Sequence, residues 1–231
     1  MPWRDWTGRW WQRRGDPFRG CPAEPVTDPV HHTILALTID GFSAPERTTM
    51  HRLALRAGLY RVAEQALSAG GVEWEDCYRA DLGDGVLILA PAGYPKAVFS
   101  ELVPAELTAS LAVHNASRSR PERIRLRAAL HAGEVSYDVH GTTGAAIVHA
   151  FRLLRSGVLE DAVACAGGEL AMIASAWFYD EIIRHSPASR PDRFRQVLVR
   201  EKETAARGWV RLLGPGEGTR DGRMGDLALG G

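Results

Sequence analysis

The stretch "HTILALTID", residues 32–40, limits the fold of this chain more than any other. Ile34, Leu35, Ala36 and Leu37 follow one another with no polar side left for water. A strand of this kind has to be covered on both faces, so it belongs in the middle of a sheet. It ends at Asp40-Gly41-Phe42, where an acid meets a residue that turns easily.

The segments that follow alternate in period. In "SAPERTTMHRLALRAGLYRVAEQALSAGG", residues 43–71, Ser43 is placed to cap a helix, Pro45 suits its first turn, and Glu46 stands at capping-box spacing. Leu53, Leu55, Leu59, Val62, Ala63 and Leu67 give a helical apolar stripe, which Gly70-Gly71 ends. "EDCYRADLGDGVLILAP" reads as two strands around a tight turn. "YPKAVFSELVPAELTASLAVHNAS" reads as a helical region interrupted near Pro104, and "RIRLRAALHAGEVSYD" as a long strand. "GAAIVHAFRLLRS" starts a helix after Gly144. A strand "ELAMIAS", a helix "AWFYDEIIRHS" and a pair of strands, "FRQVLVRE" and "RGWVRLL", complete the series.

This order predicts an α+β fold. A ferredoxin-like βαββαβ half, with helices on one face of its sheet, is followed by an αβαββ portion. Residues 1–30 read as a Trp/Arg-rich arm and Pro-rich linker, residues 31–213 as the domain, and residues 214–231 as a disordered Gly-rich tail. In the arm, Trp3, Trp6, Trp10 and Trp11 stand among Arg4, Arg9, Arg13 and Arg14. This composition suits a membrane surface or a protein partner, or the arm's covering its own domain.

Composition removes several function classes. Lys+Arg and Asp+Glu both number 28, so bulk charge gives no reason to expect nucleic acid. Cys21, Cys77 and Cys165 are too far apart for a CxxC site or a disulfide framework. With no signal-peptide core and no run long enough to span a bilayer, this predicts a cytoplasmic protein. There is no GxSxG nucleophile elbow and no P-loop. His31-His32 has no Cys or carboxylate at ligand spacing and reads as a solvated loop.

The residues left to carry chemistry are acids at strand ends. Gly83-Asp84-Gly85 is a favoured hairpin turn in its own right. It gains a second reading beside the first strand, which ends in Asp40. Carboxylates on neighbouring strand ends can hold a pair of Mg²⁺ ions against a triphosphate.

"LTIDGFS", "DLGDGVLILAP", "RIRLRAALHAGEV" and "GAAIVHAFRLL" occur in the order and approximate spacing of class III nucleotidyl cyclase catalytic domains, which the chain resembles from about His32 to about Leu213. The resemblance implies a homodimer with active sites at the subunit interface. It implies metal aspartates from one protomer, an Asn and an Arg from a helix of the other, and Mg²⁺ or Mn²⁺ bound with a nucleoside triphosphate. The reaction makes a 3′,5′-cyclic nucleotide and pyrophosphate.

Carried over by position, the second metal aspartate is Asp84 and the helix arginine is Arg152. The first metal aspartate, three residues before Gly41-Phe42, is replaced by Thr38. The Asn, four residues before Arg152, is replaced by Val148, with His149 turned from it by about 100°. Arg127, His131, Gly133 and Glu134 match the fold motif of the long strand. Lys202, in "REKET", lies near a phosphate-contacting lysine. Arg79 and Ala80 lie where the family selects its base, and neither is the lysine typical of adenylate cyclases.

Threonine is a poor substitute for a carboxylate towards Mg²⁺, and valine cannot hydrogen-bond. The expected function is therefore an impaired cyclase-like domain that acts as a nucleotide-binding or regulatory interaction module. The rival is an active cyclase with a shifted metal pair, Asp40 and Asp84. Asp40 lies on the same strand face as Thr38, about 6 to 7 Å further along.

Overall fold

The computed structural model describes residues 28–166 and 168–214. The Trp/Arg-rich arm expected over residues 1–30 lies almost wholly outside the described residues. The expected tail lies outside them from residue 215, and so does the side chain of Cys165. The described chain runs β1 (Val30–Ile39), α1 (Thr49–Ala69), β2 (Tyr78–Asp81), β3 (Gly85–Pro91), α2 (Val98–Ala116), β4 (Leu126–Asp138), β5 (Gly141–Thr143), α3 (Ala145–Leu154), α4 (Gly157–Ala166), β6 (Leu170–Ser175), α5 (Ala176–Glu181), β7 (Arg195–Glu201) and β8 (Thr204–Leu213). The strands form one sheet in the order β2-β3-β1-β4-β6-β8-β7, with β5 folded back on β4.

β1 occupies the interior that its sequence requires. It pairs antiparallel with β3 and with β4 along nearly its whole length. Leu35, Leu37 and Ile39 face one core with Leu55 and Leu59 of α1, Phe99 and Leu107 of α2, and Phe178 of α5. Ile34 and Ala36 face a second core with Ile147 and Leu153 of α3 and Leu159 and Val163 of α4. The sheet is thus covered on both sides, which is why β1 has no polar face. β4 pairs parallel with β6, and this joins the ferredoxin-like half to the second half.

Several elements differ from the sequence reading. α1 begins at Thr49 rather than after Ser43. Thr48 is its cap, with a capping box in which His51 takes the place of the expected acid. The chain before it is held in turns because the Arg47 guanidinium donates to the carbonyls of Asp40, Gly41 and Arg123. α2 runs unbroken through Pro104. A proline inside a helix costs about 3 kcal/mol, but Pro104 is buried in the core, and that packing keeps the helix whole. His31 and His32 belong to β1 rather than to a solvated loop. His31 pairs with Glu134 at 2.9 Å, and the buried His32 ring meets the Tyr137 hydroxyl at 2.9 Å. β5 and α4 had no counterpart in the sequence reading. Cys77 is a free thiol buried in the core.

Candidate functional site

The register of β1 fixes the site. Thr38 lies opposite Gly85 on β3 and opposite Arg127 on β4. The Ile39 N–H donates to the Asp84 carbonyl at 2.9 Å, and the Thr38 hydroxyl reaches the same oxygen at 3.5 Å. The first-strand motif and the Gly-Asp-Gly turn therefore meet at one end of the sheet. Gly85 is required there: a Cβ on it would lie 2.1 Å from the Leu37 carbonyl oxygen. Gly83 turns at φ +84°, a left-handed conformation that glycine adopts without strain.

Alternation along the strands decides what else reaches this face. Thr38 shares the side of Ile34 and Ala36, and Arg127 shares the side of Ala129. On β2, Tyr78 and Ala80 face this side, whereas Arg79 pairs with Ile88 and faces the α1 side. Arg79 is folded back there, bonded to the Trp74 and Cys77 carbonyls and stacked 4.7 Å over the Trp74 ring. It is not brought to the face that carries Thr38; Ala80 is.

Two further acids at this end of the sheet are already engaged: Asp40 on the Thr38 face and Asp81 on the α1 face. The Asp40 carboxylate takes the Arg125 guanidinium at 2.6 Å, and its other oxygen lies 4.0 Å from Arg127 Nε. Arg127 also pairs with Glu160 of α4. Asp81 accepts from Arg56, from the Tyr60 hydroxyl at 2.7 Å and from the Gly83 N–H at 2.7 Å. Burial alone would raise the Asp81 carboxyl, but these hydrogen bonds outweigh it and hold the group below the usual carboxylate range. Arg56 also donates to the Gly83 carbonyl, so α1 grips the turn that carries Asp84.

This donor set does not fit a resident two-ion Mg²⁺ or Mn²⁺ centre. A hydroxyl stands where a carboxylate is needed, Asp40 is neutralised by arginine, and the Arg127 cation lies beside both. Among the described residues, no three His, Cys, Asp or Glu side chains converge on a metal position.

The remaining predicted residues gather elsewhere. Val148 is exposed on α3, one turn before Arg152. Arg152 pairs with Glu203 at 2.7 Å and donates to the Glu201 carbonyl at 3.4 Å, so α3 is tied to the β7–β8 turn. Lys202 stands exposed on that turn at φ 51°. The structure thus brings Arg152 and Lys202 together but does not bring them to Asp84. β7 lies five strand steps from β3, roughly 24 Å at ~4.8 Å per step.

Between α3 and β4 the structure pairs two histidines, His131 and His149, that the motifs named separately and not as a pair. The His131 and His149 rings stand edge to face, 4.9 Å apart, and His131 Nδ1 meets the Ser175 hydroxyl at 2.8 Å. Burial, then the neighbouring His149 and His31, push the His131 imidazole down to about 4.

No family model and no curated protein sequence matches this chain. Solved structures do. The guanylyl cyclase Cya2 superimposes with a TM-score of 0.56 at 16% identity, over 88% of this chain and 98% of that one. An adenylate/guanylate cyclase/hydrolase from Silicibacter pomeroyi gives 0.57 at 19% identity, over 80% of this chain and 98% of that one. The chain has the class III nucleotidyl cyclase fold. The catalytic core of a rhodopsin-guanylyl cyclase, solved in complex with ATPαS, superimposes at 0.53 with 15% identity, over 80% of this chain and 97% of that one. Within the cyclase fold, the sequence-predicted residues fall in three places: Thr38, Asp40 and Asp84 at the β1–β3 end, Val148, Arg152 and Lys202 on α3 and the β7–β8 turn, and Arg79 alone on the α1 face. Arg125 and Glu160 escaped sequence reasoning. Arg125 was legible as an alternate position of "RIRLR"; Glu160 lies on a helix that was not foreseen. No described helix is long and apolar enough to cross a membrane.

Proposed function

We propose that this chain is a cyclase-fold module with impaired cyclisation chemistry that acts by binding a nucleotide or a regulatory partner. The observation that carries this reading is the engagement of Asp40 by Arg125 beside Thr38. With Thr38 in the first position Asp84 is the one family-matched carboxylate, and Arg125 keeps Asp40 from replacing the other. Loss of a single group aimed at transition-state charge costs on the order of 10²- to 10³-fold in rate. Thr38 and Val148 together remove a metal carboxylate and an amide.

The separation of Arg152 and Lys202 from Asp84 supports a two-fold homodimer in which each composite site draws on both protomers. Symmetry makes such a contact reciprocal. A nucleoside triphosphate bound between them would meet the Arg125 and Arg127 guanidiniums at the start of β4. The base is left to the Ala80 side of β2.

The test is calorimetric titration of the full chain with ATP and GTP in Mg²⁺, with turnover read on the same samples. Saturable binding without a cyclic product is expected. Sustained cyclic nucleotide production would overturn impaired cyclisation and favour the active alternative with Asp40 and Asp84.

A further inference from the structure

The cavity between α1 and α2 lies on the other side of the sheet from Thr38, outside the candidate site. It holds ≈ 640 Å³ and is lined by Arg61, Gln65, Glu106, Ser110, Ser117 and Arg118, with Val113 on its apolar wall. Gly58 creates the close helix approach beneath it. A Cβ at that position would lie 2.6 Å from His114 Cε1 and 2.8 Å from Ile124 Cδ1.

His114 organises the floor. Its Nε2 meets the Glu122 carbonyl at 3.2 Å and carries the proton in that bond, so Nδ1 accepts from Arg61 Nη2 at 2.9 Å. The ring is therefore neutral, in keeping with burial, which lowers its pKa. It holds the Arg61 guanidinium while consuming one of its five N–H donors. Neither Arg61 nor Arg118 has a carboxylate within ion-pair distance among the described residues. Arg118 Nε is shut off from water with no hydrogen-bond partner, a state that costs about 1–3 kcal/mol. Arg120 and Arg123 are exposed on the following segment and are likewise without ion pairs among the described residues. One lining acid, Glu106, opposes two arginines. The carbonyl end of α2 is partly screened, since the His114 and Asn115 carbonyls already accept from the Ser117 and Arg118 N–H groups.

We propose that this α1–α2 cavity is a binding site for a phosphate monoester, with Arg61 and Arg118 clamping the phosphate and Val113 packing on the organic group. Planar guanidinium forks match phosphate oxygens, and Ser110 adds a hydroxyl donor. The site lies on the helix whose Arg56 grips the Asp84 turn. It stands independently of any nucleotide at that turn.

The test is a titration of the full chain with phenyl phosphate and, separately, inorganic phosphate, at constant ionic strength, followed by the NMR signals of arginine Nε–H groups and histidine rings. Saturable shifts of Arg118 Nε–H and the His114 ring are expected below about 10 mM, with phenyl phosphate the tighter ligand. Arg118→Gln and Arg61→Gln should each weaken binding about tenfold or more. Glu106→Gln, which removes the opposing charge, should tighten it. Absence of saturation in the wild-type chain overturns the proposal, and so does Glu106→Gln binding no more tightly than wild type.

Discussion

The Asp40 carboxylate and the Arg125 guanidinium meet at 2.6 Å at the end of β1. Both are partly open to water, with Arg125 nearly half exposed, so the pair contributes little to folding, about 0–1 kcal/mol. Its consequence is chemical: it takes up the acid that follows Thr38 on the same strand face. Arg125→Ala should leave thermal stability within about 2–4 °C of wild type. Calorimetric melting checks this, and a larger loss would make the pair structural.

Gly85 and Gly58 mark two places where a methyl group has no room. Gly85→Ala drives a Cβ to 2.1 Å from the Leu37 carbonyl oxygen, which is strand backbone and cannot swing aside. Gly58→Ala presses on the side chains of His114 and Ile124, which can shift. We expect Gly58→Ala to cost about 1–3 kcal/mol and Gly85→Ala more. Urea denaturation measures both, and the reverse order would contradict the β1–β3 register.

His131, His149, His114 and His32 are all lowered, in each case chiefly by burial. The unfolded chain takes up protons near pH 6.5, before the folded chain does. Stability is therefore full above about pH 6.5 and lost as pH falls towards about 4, the value for His131. His131 alone accounts for on the order of 2–3 kcal/mol. Urea midpoints should fall steadily over this range, and His131→Gln should flatten the slope. A flat wild-type profile from pH 7 to 4 would contradict it.

The separation of Arg152 from Asp84 across the sheet predicts a two-fold dimer. Light scattering at tens of micromolar should give twice the chain mass. Val148, 48% exposed on α3 one turn from Arg152, is the position to disturb. Val148→Asp should shift the chain towards monomer without unfolding it. A wild-type monomer at that concentration would remove the support for composite sites.

Much of the fold was legible because the strands carry strong signals. The two-faced apolar run of β1 demanded a central place, and the Gly-Asp-Gly turn between apolar runs demanded a hairpin beside it. Helix boundaries were less legible. Ser43, Pro45 and Glu46 form a good capping pattern, yet Arg47 reaches the carbonyls of Asp40 and Gly41 at the start of the same loop and of the distant Arg123, so Thr48 caps instead. Pro104 reads as a break only when its burial is unknown. At the candidate site, the proximity of Thr38 and Asp84 followed from motif order. The partners of Asp40 did not: Arg125 is 85 residues away and reaches Asp40 only through the β1–β4 register. The face of Arg79 also follows from that kind of register, through β2 and β3.

Incubation with ATP, GTP, CTP and UTP in Mg²⁺ and Mn²⁺, with cyclic products read by mass spectrometry, tests impaired cyclisation most directly. It compares the wild-type chain with Asp40→Ala and with the Thr38→Asp, Val148→Asn double variant. We predict little or no cyclic product from the wild-type chain, no further change in Asp40→Ala, and a gain on the order of 10²-fold in the double variant. Measurable wild-type turnover that Asp40→Ala abolishes, in a protein that stays folded and dimeric, would contradict it and make Asp40 a working metal ligand.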